Sequence, residues 1–219
     1  MCGIVGYLGK GIAQDSLIDG LRRLEYRGYD SAGVAFHDGK TFSLSRETGR
    51  VENLAKSLIS GCSKSSLGIA HTRWATHGEP NHVNAHPHYS MDKRMAIIHN
   101  GIIENYLDLK NQLREQGHNF SSETDTEIIA HLVEQHYQDC GDFEAAVRNA
   151  LSDVRGAYAV AILCEKEPGK LIAANGGKGS FETREFPADR APIDIGSYAA
   201  DDRAFRNATG WAPAIDLDK

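Results

Sequence analysis

The chain has no CxxC pair: its four cysteines, Cys2, Cys62, Cys140 and Cys164, stand far apart. That pattern excludes the usual spacing of a structural zinc site and the framework of a small disulfide-stapled protein, and it suits a reducing compartment. No apolar run approaches the length of a bilayer span. The segment Met1 to Gly6 has neither a basic leader nor a long apolar stretch, so it does not read as a signal peptide, and a cytoplasmic location is expected. An excess of positive charge is also missing. With 24 basic and 30 acidic side chains the net charge is -6, which argues against nucleic acid or an anionic membrane as partner and favours small molecules. At 219 residues, 41% hydrophobic and 25% charged, the chain can bury a sizeable core without staples.

Runs of strand length occur at Cys2 to Leu8, Ser31 to Phe36, Thr41 to Ser45, Leu67 to His71, Met95 to His99, Ala157 to Cys164 and Lys170 to Ala174. Amphipathic stretches lie between them. The first carries Leu17, Ile18, Leu21 and Leu24 before Gly28, and the second carries Tyr106, Leu109 and Leu113 before Gly117. The third places Ile128, Ile129, Leu132 and Val133 on one stripe behind Thr124 and Glu127, which are spaced as a capping box; the fourth holds Phe143, Ala146, Val147, Ala150 and Leu151. Early strands adjoin without intervening helices, which predicts antiparallel sheets covered by helices, an α+β class. Composition changes near Asn175, where residues 175–180 look like a flexible linker and three of the six prolines follow.

Cys2 is the first residue with chemical content, because removal of Met1 leaves a thiol and a free α-amine on one residue. An α-amine has a reference pKa of roughly 7.7 to 8.0, so an appreciable neutral fraction can take the thiol proton. Taken alone, Cys2 reads equally as a small buried residue of a first strand. Arg73, at the end of a strand, presents a planar fork suited to an α-carboxylate, with Thr76 and His77 as further hydrogen-bonding groups; the competing role is a surface ion pair. Asn100 and Gly101 end another strand. A side-chain amide and a backbone N–H so placed suit an oxyanion hole, at roughly 2.7 to 4 kcal/mol per donor, although Asn-Gly is also the strongest hairpin dipeptide. Asp125 can pair with a substrate ammonium, while neighbouring carboxylates serve a helix N-terminus. His77, His82, His86 and His88 match no zinc spacing and read, with Pro80 and Pro87, as a turn-rich, solvated segment; no metal or organic cofactor is expected.

Taken together, Met1 to Gly6, Leu24 to Gly33, His71 to Gly78, Asn84 to His88, His99 to Gly101 and Ser122 to Glu127 resemble a class II glutamine amidotransferase domain. More narrowly, they resemble the glutaminase half of the glutamine:fructose-6-phosphate amidotransferases, over about residues 2–174. The resemblance implies an N-terminal-nucleophile (Ntn) hydrolase fold, a four-layer αββα sandwich, here truncated at its C-terminal strands. It implies Cys2 as nucleophile, Asn100 and Gly101 as oxyanion hole, Arg73, Thr76, His77 and Asp125 as binders of the backbone groups of L-glutamine, and Trp74 near the ammonia exit. It also implies a sugar-phosphate isomerase or synthase partner domain, absent from this chain, that aminates fructose 6-phosphate. Residues 2–175 are accordingly expected to form an incomplete glutaminase domain, with 176–219 as linker and unrelated tail. Phe186 to Asp202 and Ala208 to Pro213 resemble the C-terminal end of a nucleotide-sugar epimerase or dehydratase, without its dinucleotide-binding region, so a chimeric junction and no epimerase activity are expected. Other readings of the whole are a catalytically silent fragment with an association role, an amidotransferase with another acceptor, and an N-terminal nucleophile enzyme acting on another amide.

Overall fold

A computed structural model describes residues 2–58, 65–75 and 78–176, together with the backbone at 180–181 and 200–201. Two four-stranded antiparallel sheets form its centre. The first takes the order β1 (Gly3–Leu8), β4 (Leu67–Arg73), β2 (Ser31–His37), β3 (Phe42–Thr48); the second runs β5 (His88–Tyr89), β6 (Met95–Ile103), β7 (Gly156–Cys164), β8 (Leu171–Gly176). A short antiparallel pair joins β9 (Ser180–Phe181) to β10 (Ala200–Asp201).

Alternation along each strand divides the apolar residues among three cores. Val5, Tyr7, Ala32, Val34, Phe36 and Ala70 point outward from the first sheet to α1 (Ala13–Leu24) and α2 (Val51–Leu58). From the intervening positions, Ile4, Ala35, Leu67 and Ile69 meet Ala96, Ile98, Ala161 and Leu163 of the second sheet. Met95, Ile97, Val160 and Ile162 face the other way, onto Ile128, Ile129, Val133, Phe143 and Val147 of α4 (Thr126–Cys140) and α5 (Phe143–Asp153), with Leu109 and Leu113 of α3 (Tyr106–Glu115) beside them. The layers therefore run helix, sheet, sheet, helix. Both sheets are covered on both faces, which is why β2 and β4 are buried along their whole length.

The expected strands and four expected helices form, with boundaries shifted by a few residues. The helix α2 was not anticipated, although Val51, Leu54 and Leu58 occupy one stripe and are all buried. The capping box is corrected. Glu127 does not close back on Thr124; its carboxylate accepts N–H and O–H bonds from Ser121 and Ser122, at 2.6 to 2.8 Å, while Thr124 turns to Ser122 and His88. Burial works against charge on Glu127, but bonds from His131, Ser122 and Ser121 outweigh it and hold the carboxyl well below its usual range. The solvated histidine segment is corrected as well: His86 and His88 are buried, while His82 stays largely in water and His77 lies outside the described residues. Arg46 reaches from β3 to the carbonyls of Val83, Ala85 and Pro87 and draws this segment onto the sheet. The strand β8 continues through Asn175 and Gly176, and Ser180 begins β9; residues 177–179 of the expected linker and nearly all of the tail lie outside the described residues. Among the described residues no helix is long and apolar enough to cross a membrane.

Candidate active site

The alternation that sorts the cores also aims the chemistry. Residue 2 shares parity with Ile4, and residues 71 and 73 with Leu67 and Ile69, so the ends of β1 and β4 direct Cys2, His71 and Arg73 between the sheets. Asn100 likewise shares parity with Ala96 and Ile98 on β6. At this end of the sandwich the apolar filling gives way to a pocket of about 310 Å³, open mouth included, lined by Cys2, Arg73, Trp74, His86, His99, Gly101, Thr124, Asp125 and Thr126.

Cys2 lies along the backbone of Trp74, whose N–H points at Sγ from 3.2 Å. An N–H donor there suits sulfur as an anion. Gly3 is required beside it, since a Cβ would come within 2.7 Å of Leu24 Cβ and 2.8 Å of Thr72 Oγ1. The Asn100 side-chain amide donates to the Cys2 carbonyl at 3.2 Å, and its Oδ1 lies 2.8 Å from His71 Nε2. Gly101 follows with φ of 131°, and a Cβ would sit 2.1 Å from Ala157 O, so the close approach of β6 to β7 admits only glycine.

Arg73 is buried. It donates to Glu79 O and Gly78 O, each at 3.3 Å, and so holds the return of the loop. Burial lowers its pKa, with Asp30, Cys2 and Asp125 acting against that shift, and the guanidinium remains charged. Asp30 fixes the same corner from below: its Oδ2 accepts the Ala75 N–H, and its own N–H donates to Arg73 O at 3.1 Å. Asp125, on the opposite wall, accepts the Ile103 N–H at 3.0 Å and has an oxygen 3.8 Å from His99 Nδ1. Trp74 is half exposed at the rim, edge-on to Tyr29 with ring centroids 6.1 Å apart. Thr76 and His77 lie outside the described residues.

Cys2, Arg73, Trp74, Gly101 and Asp125 thus share one pocket, and Asn100 sits against Cys2. Four buried histidines belong to the same region and were not assigned to it from sequence. His71 and His86 stack with centroids 4.2 Å apart, and His88 meets His86 edge-on at 4.7 Å. Thr126 Oγ1 lies between His86 Nε2, at 2.8 Å, and His99 Nδ1, at 2.9 Å. Burial keeps all four uncharged, pushing His71 and His88 down to about 3 and His86 and His99 below their ordinary value. The signal for His71 and His99 was their place at the end of apolar strands; for His86 and His88 it was only their membership of the Asn84 to His88 block, since Arg46 buries them from another element. Among the described residues no group of three or more His, Cys, Asp or Glu could hold a metal ion.

A family profile described as a glutamine amidotransferase domain matches residues 71–180. The chain belongs to that family. This amidotransferase domain is 52% identical over 174 residues to the glutamine–fructose-6-phosphate aminotransferase (isomerizing) of Thermus thermophilus; the match covers 80% of this chain and 28% of that protein. The chain therefore spans less than a third of that relative's length. Two solved structures share its architecture. One is the glutamine phosphoribosylpyrophosphate amidotransferase of B. subtilis, with TM-score 0.68 and 29% identity, covering 80% of this chain and 37% of that one. The other, titled as the allosteric regulatory enzyme of purine biosynthesis, has TM-score 0.74 and 25% identity, covering 91% and 44%. The αββα sandwich of this amidotransferase domain is the Ntn-hydrolase fold.

Proposed function

We propose that this domain hydrolyses L-glutamine to glutamate and ammonia through a thioester on Cys2. The observation that carries the reading is the convergence on one pocket of a thiol, an amide and a glycine N–H beside it, and charges of opposite sign at Arg73 and Asp125. Removal of Met1 frees the α-amine that takes the thiol proton. Sγ then attacks the side-chain carbonyl of glutamine, whose developing oxyanion is met by Asn100 Nδ2 and the Gly101 N–H. The α-amine returns its proton to the departing nitrogen, the C–N bond breaks and ammonia leaves. Water adds to the thioester, the C–S bond breaks, and glutamate departs with the thiol restored. Arg73 takes the α-carboxylate, with Thr76 and His77, and Asp125 takes the α-ammonium, a pairing that selects a free amino acid over a peptide. Trp74 stands at the rim where ammonia leaves.

The ammonia serves amino-sugar synthesis from fructose 6-phosphate in a sugar-phosphate isomerase or synthase domain. Support for this comes from the printed name and greater length of the Thermus relative. Residues 2–175 constitute an incomplete glutaminase domain and 176–219 a linker and unrelated, epimerase-like tail, a reading supported by the change in composition near Asn175. The scattered cysteines favour the cytoplasm.

The test is incubation of the full chain with glutamine while glutamate is measured, alongside Cys2→Ala, with intact mass recorded after a glutamine-mimicking diazoketone. Met1 loss, one label on Cys2 and turnover that vanishes in Cys2→Ala are expected. No turnover by a chain with Cys2 at its N-terminus would sink the proposal and leave a silent fragment; turnover of other amides in preference to glutamine would leave a different amidase.

A further inference from the structure

The oxyanion reading requires the Asn100 amide to present nitrogen, not oxygen, toward Cys2, and the two orientations of an amide are nearly isosteric. Two neighbours determine which one holds. The Cys2 carbonyl, 3.2 Å away, can only accept, so it takes Nδ2. Oδ1 then faces His71 Nε2 at 2.8 Å, and that contact is a hydrogen bond only if Nε2 carries the proton. A proton on Nδ1 alone would set the Nε2 and Oδ1 lone pairs against each other at 2.8 Å, whereas a proton on Nε2 makes that contact a hydrogen bond.

We propose that His71 is a positioning residue for the glutaminase reaction: as its Nε2–H tautomer it locks the Asn100 amide with Nδ2 toward Cys2 and thereby sets the polarity of the oxyanion hole. The inference rests on the proposed function and adds to it a residue that touches no reacting atom. The fold supplies the reach. His71 on β4 faces the second sheet, its ring is wholly buried, and the His86 ring packed at 4.2 Å blocks its rotation. Since imidazole and imidazolium both carry a proton on Nε2, the lock is indifferent to pH.

Two measurements on the full chain test this. Long-range nitrogen–proton correlation spectra of the ¹⁵N-labelled protein report the tautomer of His71, assigned through its loss in His71→Leu or His71→Gln. Nε2–H is expected, and Nδ1–H would overturn the proposal whether or not the chain turns over glutamine. In kinetics, His71→Leu lowers kcat between about ten- and a thousandfold, the range for loss of an oxyanion donor. KM stays within about threefold, because the donor acts in the transition state. The rate of Cys2 alkylation by iodoacetamide, which builds no oxyanion, stays unchanged, and His71→Gln, with an amide N–H in similar reach, recovers most of kcat. An unchanged kcat in His71→Leu, or a fall in kcat and alkylation together, refutes the positioning role. A wild type inert toward glutamine would instead defeat the proposed function and leave the tautomer measurement to decide the geometry.

Discussion

Lowering the pH from 7 to 5 is expected to cost this fold about 4 kcal/mol through His71 and His88 alone. In the unfolded chain a histidine takes its proton below about pH 6.5. In the folded chain burial pushes both residues down to about 3, so between these values the unfolded state binds more protons and stability falls as pH falls. At pH 5 the deficit is about 2 kcal/mol for each. His86 and His99 are shifted in the same direction and add to it. Glu127 has the opposite linkage. Its depressed pKa contributes stability that is present above the unfolded carboxyl value, near 4.5, and is lost only as pH drops beneath it, so it stays out of the chosen window. Against a typical total of about 5 to 15 kcal/mol the histidine deficit is large. Urea unfolding followed by circular dichroism at pH 7, 6 and 5 reads it directly, and with a slope of roughly 2 kcal/mol per M the midpoint should drop by about 2 M. In His88→Asn, where an amide can still bond Thr124, the loss should shrink by about 2 kcal/mol. A midpoint that holds still from pH 7 to 5 at constant slope would refute neutral burial of these rings.

Gly101→Ala should destabilise by roughly 2 to 4 kcal/mol, seen as a lower Tm, because its Cβ would meet Ala157 O at 2.1 Å from a backbone with φ of 131°; a Tm like that of the wild type would mean that β6 and β7 separate freely there. Phe143→Ala, at a fully buried position between α5 and the second sheet, should cost about 3 to 5 kcal/mol in urea titration. Arg73→Lys replaces a fork with a point charge, and steady-state kinetics should show KM for glutamine rising about tenfold or more while kcat changes less.

Much of the fold was legible because the strands at the centre of the sandwich carry near-continuous apolar runs, β2 and β4 being buried along their whole length. Segments such as Ala157 to Cys164 and Met95 to His99 read as strands on local pattern alone, and the stripe of Ile128, Ile129, Leu132 and Val133 read as a helix for the same reason. The capping box failed because Thr124 and Glu127 each found a better partner off the helix. Two serines place N–H and O–H groups on the Glu127 carboxylate, and no spacing rule within the helix registers them. The histidine segment failed for a related reason. Its prolines and polar residues look solvated until Arg46, four decades of residues earlier on β3, pulls their carbonyls onto the sheet.

The amino-acid order by itself determined the parity of each strand, and with it the face on which Cys2, Arg73 and Asn100 emerge, since side chains alternate with a period of two whatever the sheet packs against. It also placed glycine at 3 and 101, where no other residue fits. Only the stacking of one sheet on the other decided that His71 meets Asn100 and that Asp125 lies across a pocket from Arg73. Those pairs join strands and helices far apart in the chain, and their distances are set by how thick the apolar filling between the sheets is, a property of the packed whole that no local stretch encodes.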